Sequence, residues 1–349
     1  MERIAVGYVD RRFGFEERWY SHPPRAWAVR LPDDLLFCTC FLLRGPDALP
    51  NQYLGTGFFV VLRSGDSEHV YLVTAKHVLF DVTDKRALES GTPRPVWARW
   101  PRIGPYPDVP VQLTGQWHFS DIGDDGISTD AAVMLLDKQR RPAGTISEKA
   151  FASRDVFGEY MIGIGDELSV VGLFWPLPGK KGPVPIVRTG TIAAMRGEHE
   201  ITVEETGQRI RPHLAELRSW GGLSGSPVFV NLGYDRDANG HINPHGPVKL
   251  FGLISGHLKQ RPDAVPTGVY SPDELHMGIA LVTSWPDVQA ILERDDVVRE
   301  RQQAEEPSQF SVVMDTLDSA SDTEPAFTKA AFEEALRKAS RRVPPEKKS

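Results

Sequence analysis

Cysteine is nearly missing from this chain, with two residues, Cys38 and Cys40, among 349. That excludes the disulfide framework that holds many small secreted domains together. Two positions apart on a strand, the pair would share a face, but a disulfide so close in sequence would strain the backbone. Without further cysteines they also make no cysteine-rich metal site, so they read as small buried apolar side chains. Long apolar runs are missing too. The longest, Leu35 to Leu43, is about half of what a bilayer span requires and reads as a buried strand. The first thirty residues carry Glu2, Arg3, Asp10, Arg11, Arg12, Glu16, Glu17 and Arg18, with no apolar core of a secretory signal. Nor is there an excess of positive charge. Lys and Arg number 40 against 47 Asp and Glu, a net charge of −7, which gives no global reason to bind nucleic acid or anionic lipid. The basic cluster Arg337, Lys338, Arg341, Arg342, Lys347 and Lys348 reads as a solvated terminus. The expectation is a cytoplasmic protein with neither nucleic acid nor membrane as a partner.

What is present suits a folded protein. Hydrophobic residues make up 40% and charged residues 25%, enough for a sizeable core. Gly (31) and Pro (28) are generous, as many short strands joined by turns require. Short apolar runs bounded by turn residues recur at Leu35–Leu43, Gly57–Leu62, Val70–Thr74, Val109–Leu113 and Ala131–Leu136. They resume at Leu168–Phe174, Val184–Met195, Ser226–Val230, Val248–Ser255 and Met277–Thr283. With few helical periods between them, they predict an all-β protein of two tandem units. The expected layout is an N-terminal extension over 1–34, β units over 35–145 and 146–284, and a helix over 285–298. That helix opens at Ser284-Trp-Pro-Asp, with Val288, Ile291 and Leu292 on one face. An acidic linker and an amphipathic helical tail follow over 299–349, with Phe332, Ala335, Leu336 and Ala339 aligned.

Three segments carry chemistry. Tyr71-Leu-Val-Thr-Ala-Lys-His77 delivers a histidine to the end of a strand. Thr129-Asp130-Ala-Ala-Val-Met-Leu-Leu sets a carboxylate at the mouth of an apolar strand, where burial costs several kcal/mol unless the group is hydrogen-bonded. Trp220-Gly-Gly222-Leu-Ser224-Gly-Ser-Pro227 surrounds a serine with glycines that allow a tight turn. A serine hydroxyl needs a base to take its proton and amide donors to hold the oxyanion. Taken singly, each motif has a bland reading: a structural histidine, a strand-ending aspartate, a chance glycine-serine string.

In that order the three resemble the chymotrypsin/trypsin-like serine protease superfamily, and most closely its bacterial trypsin-like peptidases of the HtrA-like and glutamyl-endopeptidase-like branches. The resemblance covers about residues 50–295. It implies two antiparallel six-stranded β-barrels with the active site in the cleft between them. It implies a serine endopeptidase acting through an acyl-enzyme, with Ser224 as nucleophile, His77 as base and Asp130 orienting the imidazole. The amides of Gly222 and Ser224 would form the oxyanion hole. By position, Arg218, Ser255, His257 and Gly278 would line the substrate pocket, where Arg218 and His257 would suit an acidic side chain. No metal and no cofactor are implied; the partners are a protein or peptide substrate and, through the C-terminal tail, a regulatory protein. Leu223 replaces the acid that digestive relatives use in zymogen activation, so activity is expected not to depend on N-terminal processing. Lys76 is expected to point away, into solvent. The other reading is a catalytically silent or effector-gated two-barrel scaffold. Asp235 to Asn239 resembles half a calcium loop but lacks the closing glutamate, and Asp121, Asp124 and Asp125 read as a solvated acidic loop.

Overall fold

The computed structural model describes residues 31–47, 52–81, 84–101, 109–138, 140, 142–174, 179, 183–197, 199–203, 206–217, 222–232, 248–259 and 276–304. The chain forms two compact units, Met1–Val298 and Arg299–Ser349, the second described only as far as residue 304. The N-terminal extension up to residue 30, the Asp235–Asn239 loop and the helix expected over 327–339 lie outside the described residues.

The first unit begins with eight strands that share one sheet: β1 (Thr39–Leu43), β2 (Tyr53–Ser64), β3 (Ser67–Thr74), β4 (Val96–Arg99), β5 (Val111–Leu113), β6 (Trp117–Phe119), β7 (Ala132–Leu135) and β8 (Ile146–Ser147). A short helix, α1 (Lys85–Ser90), lies between β3 and β4. The backbone order is β5-β4-β1-β2-β3-β7-β6, with β8 added in parallel to β2. The long hairpin of β2 and β3 pairs Phe58 with Val73 and turns at Gly65, whose φ is +57°. In β2 the residues from Gly55 to Val60 are all buried, because both faces of the strand are covered.

Among the described residues this sheet curls as half a barrel and does not close. The expected first barrel is thus an open one. Its outer strands β5 and β6 have three residues each and no ladder joins them. Gly115 between them lies against the side chain of Met134, where a β-carbon would have no room. β8 falls just beyond the boundary expected at residue 145 and pairs with β2.

A second helix, α2 (Arg154–Glu159), capped by the Ser153 hydroxyl, leads to the next strands. These are β9 (Glu167–Leu173), β10 (Pro185–Ala194), β11 (Ile201–Thr202), β12 (Arg209–Ile210), β13 (His213–Glu216), β14 (Pro227–Asn231), β15 (Val248–Lys259) and β16 (His276–Ser284). Six of them close into an antiparallel barrel, β10-β13-β16-β15-β14-β9, sealed where β9 meets β10. β11 and β12 form a separate small hairpin.

Two main cores form, and Val171, Phe229, Leu250 and Leu253 of the barrel strands join that of the open sheet. Leu168, Val170, Ile192, Ala215, Val228, Phe251, Ile254 and Val282 fill the closed barrel. The core of the open sheet takes in Phe58, Tyr71, Leu72, Val133 and, from beyond the last strand, Trp285, Val288, Ile291 and Leu292. The last four belong to α3 (Trp285–Leu292), which opens with Pro286 in its first turn and buries the apolar face read from the sequence. Trp285 is fully buried and its ring meets Phe151 at 4.4 Å and Phe58 at 6.5 Å. Truncating such a side chain typically costs about 3–5 kcal/mol. A further helix, α4 (Asp295–Gln303), runs past residue 299, where a linker was expected. Val297 anchors it in the core, and Asp295 and Asp296 suit the positive end of its dipole. Cys38 and Cys40 are free and fully buried, and burial pushes both thiols well above the ordinary range, as inert small apolar groups.

Candidate active site

Sheet register brings His77 and Asp130 together. β3 and β7 are antiparallel neighbours, and Thr74 at the end of β3 faces Ala132 at the start of β7. Residues shortly after Thr74 and shortly before Ala132 therefore leave the sheet at the same edge. His77 lies there in a 3-10 turn, Lys76–Leu79, and Asp130 lies two residues before β7. The carboxylate receives two donors. Asp130 Oδ1 accepts the His77 main-chain N–H at 2.9 Å, and Oδ2 meets His77 Nδ1 at 2.7 Å. The Asp130 side chain is 2% exposed and the imidazole 11%. A carboxylate so deeply buried needs these bonds. An ionised carboxylate at Nδ1 favours the tautomer that carries the ring proton on that nitrogen.

Ser224 sits in a turn that is bonded to both halves of the body. Within the turn, Ser226 N–H donates to the Leu223 carbonyl at 2.9 Å. Gly225 N–H donates to Ile254 of β15 at 2.7 Å, and Ile254 N–H donates to Ser226 at 2.9 Å. From the open sheet, Thr56 N–H donates to the Ser224 carbonyl and Thr56 Oγ1 to the Gly222 carbonyl, each at 2.8 Å. Thr74 Oγ1 in turn donates to the Thr56 carbonyl at 2.8 Å. Gly222 and Gly225 have φ of +96° and +85°, the region where a glycine is at home. A β-carbon on Gly225 would overlap the Thr56 carbonyl and the Thr74 hydroxyl and stand 3.1 Å from the Ala75 nitrogen. The serine loop thus packs against the segment that carries His77. Leu223 is 2% exposed and packs onto Gly172 of β9, so an apolar plug anchors the loop where an acid was expected to be missing.

Of the expected pocket residues, Ser255 and His257 lie on β15 and Gly278 on the adjoining β16, so the barrel brings these three to neighbouring strands. Ser255 is buried and its hydroxyl bonds to Thr283 Oγ1. Gly278 has φ of +77° and its carbonyl accepts Leu217 N–H at 2.8 Å. Arg218 lies outside the described residues. Lys76 departs from expectation. The chain leaves β3 at Thr74, so Lys76 is in the 3-10 turn and its ammonium lies 5.1 Å from the centre of the Phe119 ring. Asp125 also departs: it is bonded to Arg211 at 2.6 Å and to Ile127 N–H at 3.0 Å, whereas Asp121 is 89% exposed. The Ile127 amide first, with Arg211 adding to it, holds the Asp125 carboxyl below its usual range. Behind Asp130 lies a polar cavity of about 230 Å³, walled by Asp130, Thr129, Arg196, Arg211, Thr283 and Asp287.

Among the described residues no three His, Cys, Asp or Glu side chains are placed to hold a metal ion, and no helix is long and apolar enough to cross a membrane. Thr56 is the residue that sequence reasoning passed over; its signal was its place inside Gly55-Thr-Gly57, next to two glycines that allow close approach.

No family model matches the sequence, and no curated protein matches it. Solved structures do. The inactive form of the Rv3671c protease is 15% identical, with a TM-score of 0.38 over 74% of this chain and 88% of that one. A serine-to-alanine variant of the same protein, from M. tuberculosis H37Rv, gives 0.37 over 74% and 86%, at 15% identity. Deg5 gives 0.32 over 63% and 79%, again at 15% identity.

Proposed function

We propose that this protein is a serine endopeptidase with Ser224, His77 and Asp130 as its catalytic triad. The observation that supports it most is the double hold of Asp130 on His77, at 2.9 and 2.7 Å, beside a glycine-flanked serine turn bonded to the same sheet. A carboxylate that holds Nδ1–H favours the tautomer in which Nε2 carries the lone pair and acts as the base.

In this reading His77 Nε2 takes the proton of Ser224 Oγ as the oxygen attacks the scissile carbonyl carbon. The amides of Gly222 and Ser224 hold the oxyanion that forms. The imidazolium then gives its proton to the departing amine nitrogen, the C–N bond breaks, and an acyl-enzyme remains. Water, deprotonated by the same nitrogen, attacks the ester, and Ser224 recovers its proton as the acid product leaves. Asp130 stays ionised and stabilises the imidazolium in both halves. The substrate is a protein or peptide, and Ser255, His257 and Gly278, with Arg218, line the pocket that selects its side chain.

A fluorophosphonate probe tests this. Wild-type protein is expected to be labelled on one serine, and Ser224→Ala not at all. Asp130→Asn should slow labelling by about four orders of magnitude while leaving the protein folded. Wild-type protein that takes no label at any pH would overturn the proposal.

A further inference from the structure

Lys76 sits next to His77 and is half-buried rather than fully solvated. Its Nζ lies 5.1 Å from the centre of the Phe119 ring, within the range of a cation–π contact. That ring is itself fixed. It packs on Phe80 at 5.8 Å, and its main-chain carbonyl accepts a hydrogen bond from the Arg294 guanidinium. Arg294 is held in turn by Asp296, at 3.0 and 3.1 Å, and reaches Asp121 at 3.5 Å. Three elements therefore build the seat: the 3-10 turn of Lys76 and His77, strand β6, and the junction of α3 and α4.

We infer that Lys76 is a positioning residue of the His77–Asp130 pair, its ammonium seated on Phe119 as a fixed positive charge beside the turn that carries His77. The inference rests on the proposed protease reading for its meaning, but its geometry stands apart from it. Phe119 on β6 faces Ala132 on β7, two residues beyond Asp130, so the ring that seats the ammonium lies beside the carboxylate's segment. Burial lowers the lysine's affinity for a proton, and the charge of Asp130 acts against that loss. The remaining charged or titratable groups around the seat are His77 on the same turn, His118 beside Phe119, Asp121 on the loop before β7, and Arg294 and Asp296 at the helix junction. These last three neutralise one another in part, and Arg196, Arg211 and Asp287 share a cavity wall with Asp130, while Lys76 is the cation next to His77 on the turn itself.

The consequence has a definite sign. A positive charge beside Asp130 offsets part of the carboxylate's pull on a protonated imidazole. It also repels the imidazolium directly. Both effects keep His77 in its basic form to lower pH. A lysine that merely covered Phe119 with its methylene stem would do neither.

The test uses the full chain and three variants, Lys76→Met, Lys76→Arg and Phe119→Leu. The His77 imidazole is followed by NMR titration, assigned with His77→Gln, and the pH dependence of fluorophosphonate labelling is measured alongside. Lys76→Met keeps the stem and removes the charge, and should raise the His77 titration midpoint by about half a pH unit or more. Lys76→Arg keeps charge and ring contact and should stay with the wild type. Phe119→Leu removes the seat and should move the midpoint in the same direction as Lys76→Met; it decides the matter should Lys76→Met not fold. Equal midpoints in wild type and Lys76→Met would overturn the inference. A raised midpoint with no labelling of any protein supports it and overturns the protease reading instead, while labelling without a shift does the reverse.

Discussion

Gly225 stands so close to Thr56 that the two backbones leave no space for a side chain between them. This contact ties the serine turn to β2 of the other sheet, which pairs with the strand that leads into the histidine turn. Gly225→Ala should therefore be disproportionately harmful. The left-handed φ alone costs about 1–2 kcal/mol for an alanine, and the methyl group must also push the turn away from Thr56 and Thr74. The expected outcome is a fall in fluorophosphonate labelling of at least about a hundredfold, together with a lower melting temperature. Near-normal labelling would show that the turn is free to move and that the contact positions nothing.

Thr56 bonds the serine turn twice, by its amide and by its hydroxyl. Thr56→Val removes only the second bond and leaves the Gly222 carbonyl without its partner. A buried acceptor deprived of its donor costs about 1–3 kcal/mol. Because the loss falls on the peptide that precedes Leu223, labelling should slow by about tenfold. Thr56→Ser restores the hydroxyl and should recover most of the rate. Equal rates for the valine and serine variants would remove Thr56 Oγ1 from the account.

Much of this site could be read before any fold was known, and the reasons for success and failure are physical. Val70–Thr74 and Ala131–Leu136 announce themselves because strands covered on both faces need consecutive apolar residues. His77 and Asp130 follow from them, as polar residues at the ends of such runs. β13, His213-Leu-Ala-Glu216, gives no such signal, yet the barrel does not close without it. Lys76 was misplaced by assuming that β3 continues, whereas a 3-10 turn begins after Ala75 and redirects the side chain. Thr56 was passed over because the carbonyl it holds lies 166 residues away, and only its two flanking glycines hint at a close approach. Closure of the first barrel was inferred from family likeness, and its three-residue outer strands do not support it.

His213 makes the stability of the protein depend on pH. Its ring is 2% exposed, lies 4.8 Å from the Phe251 ring and 6.0 Å from Phe157, and accepts Arg196 N–H at Nδ1. Burial first, and the nearby Arg196 and His199 charges after it, push its pKa down to about 3. The native state thus holds this histidine neutral while the unfolded chain takes up a proton as pH falls through about 6.5. Stability is full above that pH and declines below it, by about 2 kcal/mol at pH 5. His213→Gln keeps an acceptor and has no proton to gain. Urea midpoints at pH 7.5 and pH 5 should show the wild type losing that extra amount relative to the variant. Parallel losses in the two proteins would assign the pH dependence to other groups.

The loop that leads into Asp130 is held from the side by the β11–β12 hairpin. Arg211 bridges Asp125 at 2.6 Å and Glu200 at 2.7 Å, and Arg209 bonds Glu200 at 2.7 Å and the Asp125 carbonyl at 2.9 Å. Ser128 N–H also donates to the Arg209 carbonyl at 2.8 Å, a main-chain link that no side-chain substitution removes. Asp125 is 49% exposed and Arg209 likewise, so these ion pairs are screened by water and salt. Arg211→Ala should lower the melting temperature by no more than about 2 °C. Its effect on the site should be larger in proportion, because Asp130 lies only five residues beyond Asp125 and inherits any freedom the loop gains. Labelling is expected to slow severalfold in Arg211→Ala, and 0.5 M salt should slow the wild type toward the variant while leaving the variant almost unchanged. A wild type indifferent to salt, with a variant that labels at the same rate, would mean that the main-chain link alone sets the loop, and that the four charged side chains add nothing to the placement of the carboxylate.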